Sequence, residues 1–192
     1  MKSNLTIIKI LFVLFGITPI LSGQTTLQNP SLEDTPSDAM IPFGWFMCEQ
    51  GTTPDILPGY WGVYNNPSDG NTYMGLITRP DNSFESVGQR LTPELVKEEC
   101  YKISLDLAHS KTYAAYNKPI QLRIWLGTKK CKKQQLIYES SLVKNGDWKK
   151  HIIDFIPEKD FKYIIFEAFT PETRKGNILI DNISPIYKCD RV

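Results

Sequence analysis

The sequence predicts an all-β domain folded as a two-sheet antiparallel jelly-roll sandwich. Apolar and polar residues alternate at period two through most of the chain, as in "KISLDL" (102–107), and almost no helical period is present. Residues typical of turns separate the alternating runs. Eight or nine such runs, joined by long connections, are typical of a sandwich made of two sheets.

The candidate strands follow one another along the chain with two interruptions. "TPELVKEE" (92–99) predicts one helical turn, and residues 34–71, rich in Pro, Gly and Asp, predict an ordered loop pinned by its Trp and Pro residues. The predicted strands cover residues 26–33, 72–78, 83–91, 100–108, 120–127, 135–143, 149–157, 162–170 and 177–186.

The first 23 residues predict a secretory signal peptide. Lys2 and Lys9 accompany an apolar stretch that is short for a membrane span and ends in the small residues Ser22 and Gly23. Removing residues 1–23 from the 192-residue chain leaves 169 residues, which we expect to form a single β-sandwich domain (24–192). Export would place the protein in the periplasm, at the outer membrane or outside the cell, with no transmembrane segment after signal removal.

Charge argues against two classes of partner. Without Lys2 and Lys9, 20 of the 22 basic residues remain against 21 acidic ones, so the net charge is close to −1. A nearly neutral protein has no global field for nucleic acid or for an anionic membrane.

Cysteine usage fits an exported protein. Four cysteines, an even number, follow the signal peptide, and none of them forms a C-x-x-C pair. Zinc binding is therefore disfavoured, and two disulfides are the better interpretation. Four cysteines allow three pairings.

Four motifs resemble the galactose-binding-like jelly roll, and their order and spacing carry the resemblance. They are "NPSLE" (29–33), "PFGW" (42–45), "CYKISLDLA" (100–108) and "ILIDNIS" (178–184). Many carbohydrate-binding modules share this fold, and the chain also resembles a domain of secreted and outer-membrane-associated proteins of Bacteroidota. Fold similarity alone does not settle function.

The resemblance implies a disulfide pairing. In jelly-roll order the strands 100–108 and 120–127 would be antiparallel neighbours, which would bring Cys100 near Cys131. Cys48 would then pair with Cys189 and close a long loop, worth about 4 kcal/mol in the chain-entropy model.

The resemblance also implies a role for the acidic residue of the last strand. Glu33 and Asp181 would hold a structural Ca²⁺, because carboxylate oxygens suit this cation. The alternative is that Asp181 accepts backbone N–H groups and locks the two ends of the chain together. No other cofactor is expected.

Catalysis has little support. The chain has two histidines, His109 and His151, and contains no G-x-S-x-G, H-E-x-x-H or glycine-rich phosphate loop. We therefore expect a non-catalytic protein, with a small polysaccharide-acting enzyme as the weaker alternative.

One sheet face is the main candidate for ligand binding. Strand alternation places Gln121, Arg123 and Trp125 opposite the apolar face of their strand, and Asp106 and Glu167 on the corresponding face of two other strands. An aromatic ring stacks on a sugar, while charged and amide groups bind its hydroxyls. The alternative is that Arg123 forms a cross-strand ion pair with Glu167 or Asp106, with Trp125 covering a sheet edge.

Loops supply a second candidate. "GYWGVYNN" (59–66) presents Trp61, and "SKTYAAYNK" (110–118) presents Tyr113, two aromatic residues that suit a sugar or a protein partner. The alternative is that the Trp residues plug the ends of the sandwich. The lysine-rich tip "TKKCKKQQ" (128–135) is typical of a solvated hairpin.

These observations lead to two hypotheses for function. The first is a secreted, non-catalytic module that binds a polysaccharide or other glycan at the cell envelope or outside the cell. The second is an interaction subunit that docks on an outer-membrane or cell-surface complex.

Overall fold

The computed structural model describes residues 24–189, and the predicted signal peptide lies outside them. Within that range the chain forms twelve β-strands and no helix. These residues therefore contain no helix long and apolar enough to cross a membrane. The strands are β1 (Phe46–Met47), β2 (Asp55–Leu57), β3 (Tyr73–Thr78), β4 (Ser86–Leu95), β5 (Tyr101–Ala108), β6 (Lys118–Pro119), β7 (Gln121–Gly127), β8 (Gln135–Glu139), β9 (Lys149–Phe155), β10 (Phe161–Phe169), β11 (Gly176–Asp181) and β12 (Tyr187–Lys188).

The strands form two sheets. The five-stranded sheet has the antiparallel order β1-β4-β10-β7-β8. The seven-stranded sheet has the order β12-β5-β11-β3-β2, with β9 antiparallel to β5 and β6 parallel to β11. This arrangement confirms the predicted all-β jelly-roll sandwich.

The core lies between the two sheets and follows the predicted alternation. Leu122, Ile124 and Leu126 of β7 are fully buried, as are Ile103 and Leu105 of β5 in the opposite sheet. Burying an aliphatic side chain of this size stabilises the fold by about 1.5–3 kcal/mol. The period-two pattern therefore identified the inner face of both sheets.

A second apolar cluster covers part of the outer face of the seven-stranded sheet. Tyr73, Ile77 and Leu179 point outward from their strands, and Val63 and Tyr113 from the loops pack on them. This explains why β3 and β11 are buried on both faces.

Two predicted elements are wrong. Residues 26–33 form turns instead of a strand: only Thr26 makes an isolated bridge, and Asn29 and Leu32 have positive φ. The segment 92–99 begins as strand rather than as a helical turn, because β4 continues to Leu95, which is buried opposite Phe161. In both places tertiary packing overrides the local pattern.

The two disulfides are present, but the predicted pairing is wrong. Cys48 is bonded to Cys131, and Cys100 to Cys189. The prediction assumed that strands 100–108 and 120–127 are neighbours, whereas β5 and β7 belong to different sheets. Each disulfide instead joins segments that border the same sheet.

Candidate functional site

The outer face of the five-stranded sheet brings together four of the predicted site residues. Gln121, Arg123 and Trp125 lie on β7, and Glu167 lies on the neighbouring strand β10 directly opposite Arg123. Phe169, also on β10, is opposite Gln121. We call these five residues the β7–β10 face. The period of two places alternate residues on one side, and the antiparallel register aligns the two strands.

Glu167 is the centre of the hydrogen-bond network on this face. The Trp125 indole Nε1 donates to Glu167 Oε2 at 2.8 Å, and Lys133 Nζ donates to Glu167 Oε1 at 2.6 Å. Lys133 also binds Glu49 Oε1 at 2.7 Å. Burial favours the neutral amine, but the bonds to Glu167 and Glu49 outweigh it, so the pKa of Lys133 lies above its usual range.

Arg123 is held by two other partners. Its Nε donates to Glu139 Oε2 of β8 at 2.7 Å, and its guanidinium carbon lies 3.1 Å from the centroid of the Phe169 ring. The alternative of a cross-strand ion pair is therefore correct in kind, but the partner is Glu139 rather than Glu167 or Asp106. Gln121 Nε2 donates to the Ser140 carbonyl at 2.7 Å.

A polar cavity of about 190 Å³ opens beside the β7–β10 face. Glu167 and Lys133 form one wall, and Glu49, Asn82 and Phe84 contribute to the others. Phe84 packs edge-on against Phe169, with centroids 5.5 Å apart. The cavity offers charged and amide groups next to aromatic rings.

Asp106 does not belong to this face, contrary to the prediction. It lies on β5 of the seven-stranded sheet, opposite Asp181 of β11. Its Oδ2 accepts hydrogen bonds from Ser68 Oγ at 2.6 Å and from Asn182 Nδ2 at 3.0 Å, and its Oδ1 has no partner among residues 24–189. The error has the same cause as the wrong disulfide pairing, because β5 and β7 belong to different sheets.

Trp61 and Tyr113 both line a second cavity and do not belong to the β7–β10 face. Trp61 is 46% exposed, and its indole Nε1 donates to Asp38 Oδ1 at 2.9 Å. Tyr113 is buried, and its hydroxyl donates to Asp55. Burial and the neighbouring carboxylate of Asp55 raise the pKa of Tyr113 well above its usual range.

Glu33 and Asp181 both accept hydrogen bonds from one turn, residues 68–72. Both carboxylate oxygens of Glu33 accept from the Asn71 N–H, at 2.9 and 3.0 Å. Asp181 Oδ2 accepts from the N–H groups of Ser68 and Asp69, at 2.7 and 3.0 Å. Burial raises the pKa of Asp181 to about 6.

Both carboxylates bind backbone N–H groups in this structure. Residues 24–189 contain no group of three or more His, Cys, Asp or Glu side chains that could hold a metal ion. The structural Ca²⁺ stays a prediction that thermal denaturation can test. A calcium-dependent rise in melting temperature that Glu33→Gln abolishes would confirm it, and an unchanged melting temperature in EGTA would contradict it.

The two histidines have structural contacts. His109 is buried with Nε2 3.1 Å from the Asn117 carbonyl, and His151 Nδ1 lies 2.6 Å from the Tyr138 hydroxyl. Burial lowers the pKa of both imidazoles. Each ring therefore favours the neutral form.

Sequence reasoning missed Lys133, Glu139 and Phe169 as members of this site. Phe169 lies two residues after Glu167, so strand alternation alone puts both on one side of β10. Lys133 was assigned to a solvated tip, and only the folding of residues 128–134 back towards the sheet brings it to Glu167.

Comparison with solved structures confirms the resemblance to galactose-binding-like jelly rolls. The CBM22-1 xylan-binding domain of Paenibacillus barcinonensis Xyn10C is 16% identical, with a TM-score of 0.55 over 84% of this chain and 93% of that one. The K1 cleaved adhesin domain of Lys-gingipain from Porphyromonas gingivalis W83 is 16% identical, with a TM-score of 0.54 over 88% and 100%. An arabinose-bound α-L-arabinofuranosidase is 12% identical, with a TM-score of 0.58 over 86% of this chain and 26% of that one.

These identities establish a shared fold, and the family is established by sequence. A comparison with curated proteins finds no match. The model of the MAM domain, meprin/A5/mu, matches residues 65–190, which include ten of the twelve strands. Because this match covers more than half of the 192 residues, the chain belongs to the MAM domain family.

Proposed function

We propose that this domain binds a glycan without catalysing a reaction, at the cell envelope or outside the cell. The observation that carries the proposal is the β7–β10 face, where Trp125, Phe169 and Arg123 lie beside a polar cavity. Aromatic rings pack on the apolar faces of sugars, and planar charged groups bind pairs of hydroxyls.

The face is organised before any ligand arrives. Trp125 is held by Glu167, Glu167 by Lys133, and Arg123 by both Glu139 and Phe169. Side chains that are already fixed lose less conformational entropy on binding, which leaves more of the contact energy for affinity. This arrangement supports a binding role for the face.

Other features support a glycan as the ligand and export as the route. One structural neighbour is described as a xylan-binding domain, and another contains bound arabinose. Two disulfides are compatible with an oxidising location outside the cytoplasm, in agreement with the signal peptide predicted at residues 1–23.

Affinity gel electrophoresis against a panel of polysaccharides tests the proposal. We expect Trp125→Ala and Arg123→Ala to weaken retardation by the recognised glycan at least about tenfold, because each removes a contact worth over about 1.4 kcal/mol. Tyr187→Ala is the matched control, since Tyr187 is an exposed aromatic residue of the seven-stranded sheet. Circular dichroism verifies that each variant is folded.

The proposal fails if the wild-type protein binds no member of a broad glycan panel. It also fails if Tyr187→Ala weakens binding as much as Trp125→Ala does, because the β7–β10 face would then have no special role.

A second candidate function is an interaction subunit of a surface complex. Ile152 on the edge strand β9 is 66% exposed, and Ile156, four residues further on and just beyond that strand, is 56% exposed. An edge strand with exposed apolar residues can pair with another chain. An interaction subunit should co-purify stoichiometrically from detergent-solubilised envelope, and Ile152→Lys should abolish this. Recovery of the wild type only as a free monomer contradicts this candidate.

A further inference from the structure

The second cavity, between the loop of Trp61 and the outer face of the seven-stranded sheet, has a chemistry unlike that of the β7–β10 face. Its volume is about 140 Å³, and its lining combines aromatic and acidic side chains. Its charged and aromatic lining residues are Asp38, Asp55, Trp61, Arg79, Tyr113 and Tyr116.

The charge of this cavity is negative. Arg79 is its one basic lining residue, and it is already paired with Glu85 at 2.7 Å. Glu85 is buried and in addition accepts the N–H groups of Thr53 and Ile77. No Lys or Arg between residues 24 and 189 forms an ion pair with Asp38 or Asp55. Asp38 and Asp55 therefore line the cavity without a cation paired to either of them.

The carboxylates are fixed in place. Asp55 is 4% exposed and accepts the Ala39 N–H at 2.8 Å as well as the Tyr113 hydroxyl. Asp38 is the residue before Ala39, and one of its oxygens accepts the Trp61 indole N–H. A bound cation would compensate both carboxylates without rearrangement of the loop.

Aromatic rings form the remaining walls. Trp61 adopts φ 53°, a left-handed conformation that non-glycine residues rarely take, and the bond to Asp38 holds its ring at the mouth of the cavity. Tyr116 packs edge-on against Tyr113, with centroids 6.4 Å apart. Aromatic faces attract an organic cation and also stack on sugar rings.

The size of the cavity limits the ligand. A volume of about 150 Å³ holds one six-membered ring in a protein interior, and this cavity is close to that size and open to solvent. One pyranose ring is therefore the largest unit that this cavity admits, with its hydroxyls projecting at the open side.

We propose that this cavity binds a sugar residue that carries a protonated amine, with the ammonium group between Asp38 and Asp55 and the ring against Trp61. The choice of a sugar over another amine rests on the proposed glycan function. The preference for a cation rests on the lining of the cavity alone.

Isothermal titration calorimetry with matched oligosaccharides tests the inference. Oligomers of glucosamine and of N-acetylglucosamine share ring and linkage but differ in charge at near-neutral pH. We expect the glucosamine oligomer to bind at least about tenfold more tightly. Asp38→Asn should remove that preference, and Trp61→Ala should weaken binding of both oligomers.

Control variants test whether the effects are specific to the side chains of this cavity. Asp154→Asn removes an exposed carboxylate of β9, and Tyr64→Ala removes an exposed ring from the Trp61 loop; neither residue lines the cavity. Both should leave glucosamine affinity within about twofold of wild type. Neither residue belongs to the β7–β10 face either.

The outcomes distinguish this inference from the proposed function. Equal affinity for the two oligomers, or an unchanged preference in Asp38→Asn, overturns the inference while leaving glycan binding at the β7–β10 face intact. If Trp125→Ala and Arg123→Ala leave the binding of every polysaccharide unchanged but glucosamine still binds in an Asp38-dependent way, the β7–β10 face fails as the glycan site and the inference stands.

Discussion

Asp181 and Asp55 are buried carboxylates of the seven-stranded sheet whose hydrogen-bond donors differ in kind. Asp181 accepts from three backbone N–H groups, which cannot become acceptors. Asp55 accepts one backbone N–H and the hydroxyl of Tyr113, which can rotate and accept instead. The same substitution, Asp to Asn, should therefore act differently at the two positions.

Asp181→Asn should lower the free energy of unfolding by about 1–2 kcal/mol, because its amide group would face N–H donors that then lack an acceptor. Urea denaturation measures this loss. Glycan binding should be unchanged, since Asp181 lies on the sheet opposite to the β7–β10 face. Lost binding in a variant of full stability would make Asp181 part of a ligand site.

Asp55→Asn should instead change how stability depends on pH. Burial raises the pKa of Asp55 to about 6, against the opposing effect of its hydrogen bonds with Ala39 and Tyr113. Asp38 and Glu85 are the other acidic groups that act on this pair, and Arg79 is the basic one in the same cavity. A raised pKa means that the stabilisation from Asp55 is complete below about pH 4 and is lost as the pH rises through about 6.

Asparagine does not titrate and can keep both hydrogen bonds. The unfolding free energy of Asp55→Asn, relative to wild type, should therefore rise by up to about 3 kcal/mol between about pH 4 and pH 7. Denaturant titrations at several pH values measure the difference. A difference that stays constant with pH would contradict the raised pKa.

The hairpin β7–β8 shows how an element can acquire a role that its sequence does not reveal. Its tip contains four lysines, but the Cys48–Cys131 disulfide ties it to the segment after β1. Gly88 permits this approach, because a Cβ there would lie 2.8 Å from the Phe46 ring and 3.2 Å from Cys48 Sγ. The tip thereby places Lys133 against Glu167.

Removing this disulfide should affect both stability and binding. We expect Cys48→Ser/Cys131→Ser to lower the free energy of unfolding by about 2–4 kcal/mol. Glycan affinity should also fall, because Lys133 loses its anchor beside Glu167. Denaturation and affinity gels measure the two effects, with Cys100→Ser/Cys189→Ser as the control for binding. Equal glycan affinity in the two double variants would contradict a role for the tip.

At the scale of the whole molecule, the two ends of the described chain meet. Thr25 and Ile186 exchange backbone hydrogen bonds of 2.8 Å, and the Ile183 N–H donates to the Pro30 carbonyl at 3.1 Å. The Cys100–Cys189 disulfide fastens the end of the chain to β5. The fold is closed here by backbone pairing and one covalent bond.

Loss of the Cys100–Cys189 disulfide should loosen the pairing of the two chain ends without destabilising the two sheets. In Cys100→Ser/Cys189→Ser we expect amide hydrogen exchange at Thr25 and Ile186 to become at least about tenfold faster, with the amides of β7 and β10 unchanged. Mass spectrometry or NMR measures the rates. Uniformly faster exchange in both sheets would mean that the disulfide supports the entire fold.

The sequence by itself determined the class of the fold and the faces of its strands. Period-two alternation, with Leu122, Ile124 and Leu126 as one example, is imposed by the geometry of a strand and requires no knowledge of neighbours. The same local rule placed Gln121, Arg123 and Trp125 on one face of β7. It also identified Phe169 and Glu167 as residues on one side of β10.

Only the tertiary structure decided which strands are neighbours and which side chains meet. Strand order depends on non-local pairing, so the sequence did not show that β5 and β7 lie in different sheets. That one fact separates Asp106 from Arg123 and sets the pairing of all four cysteines. Likewise, Asp38, Asp55 and Trp61 come from the segment 34–71, whereas Tyr113 and Tyr116 come from the loop after β5. They line one cavity because both segments pack on the seven-stranded sheet.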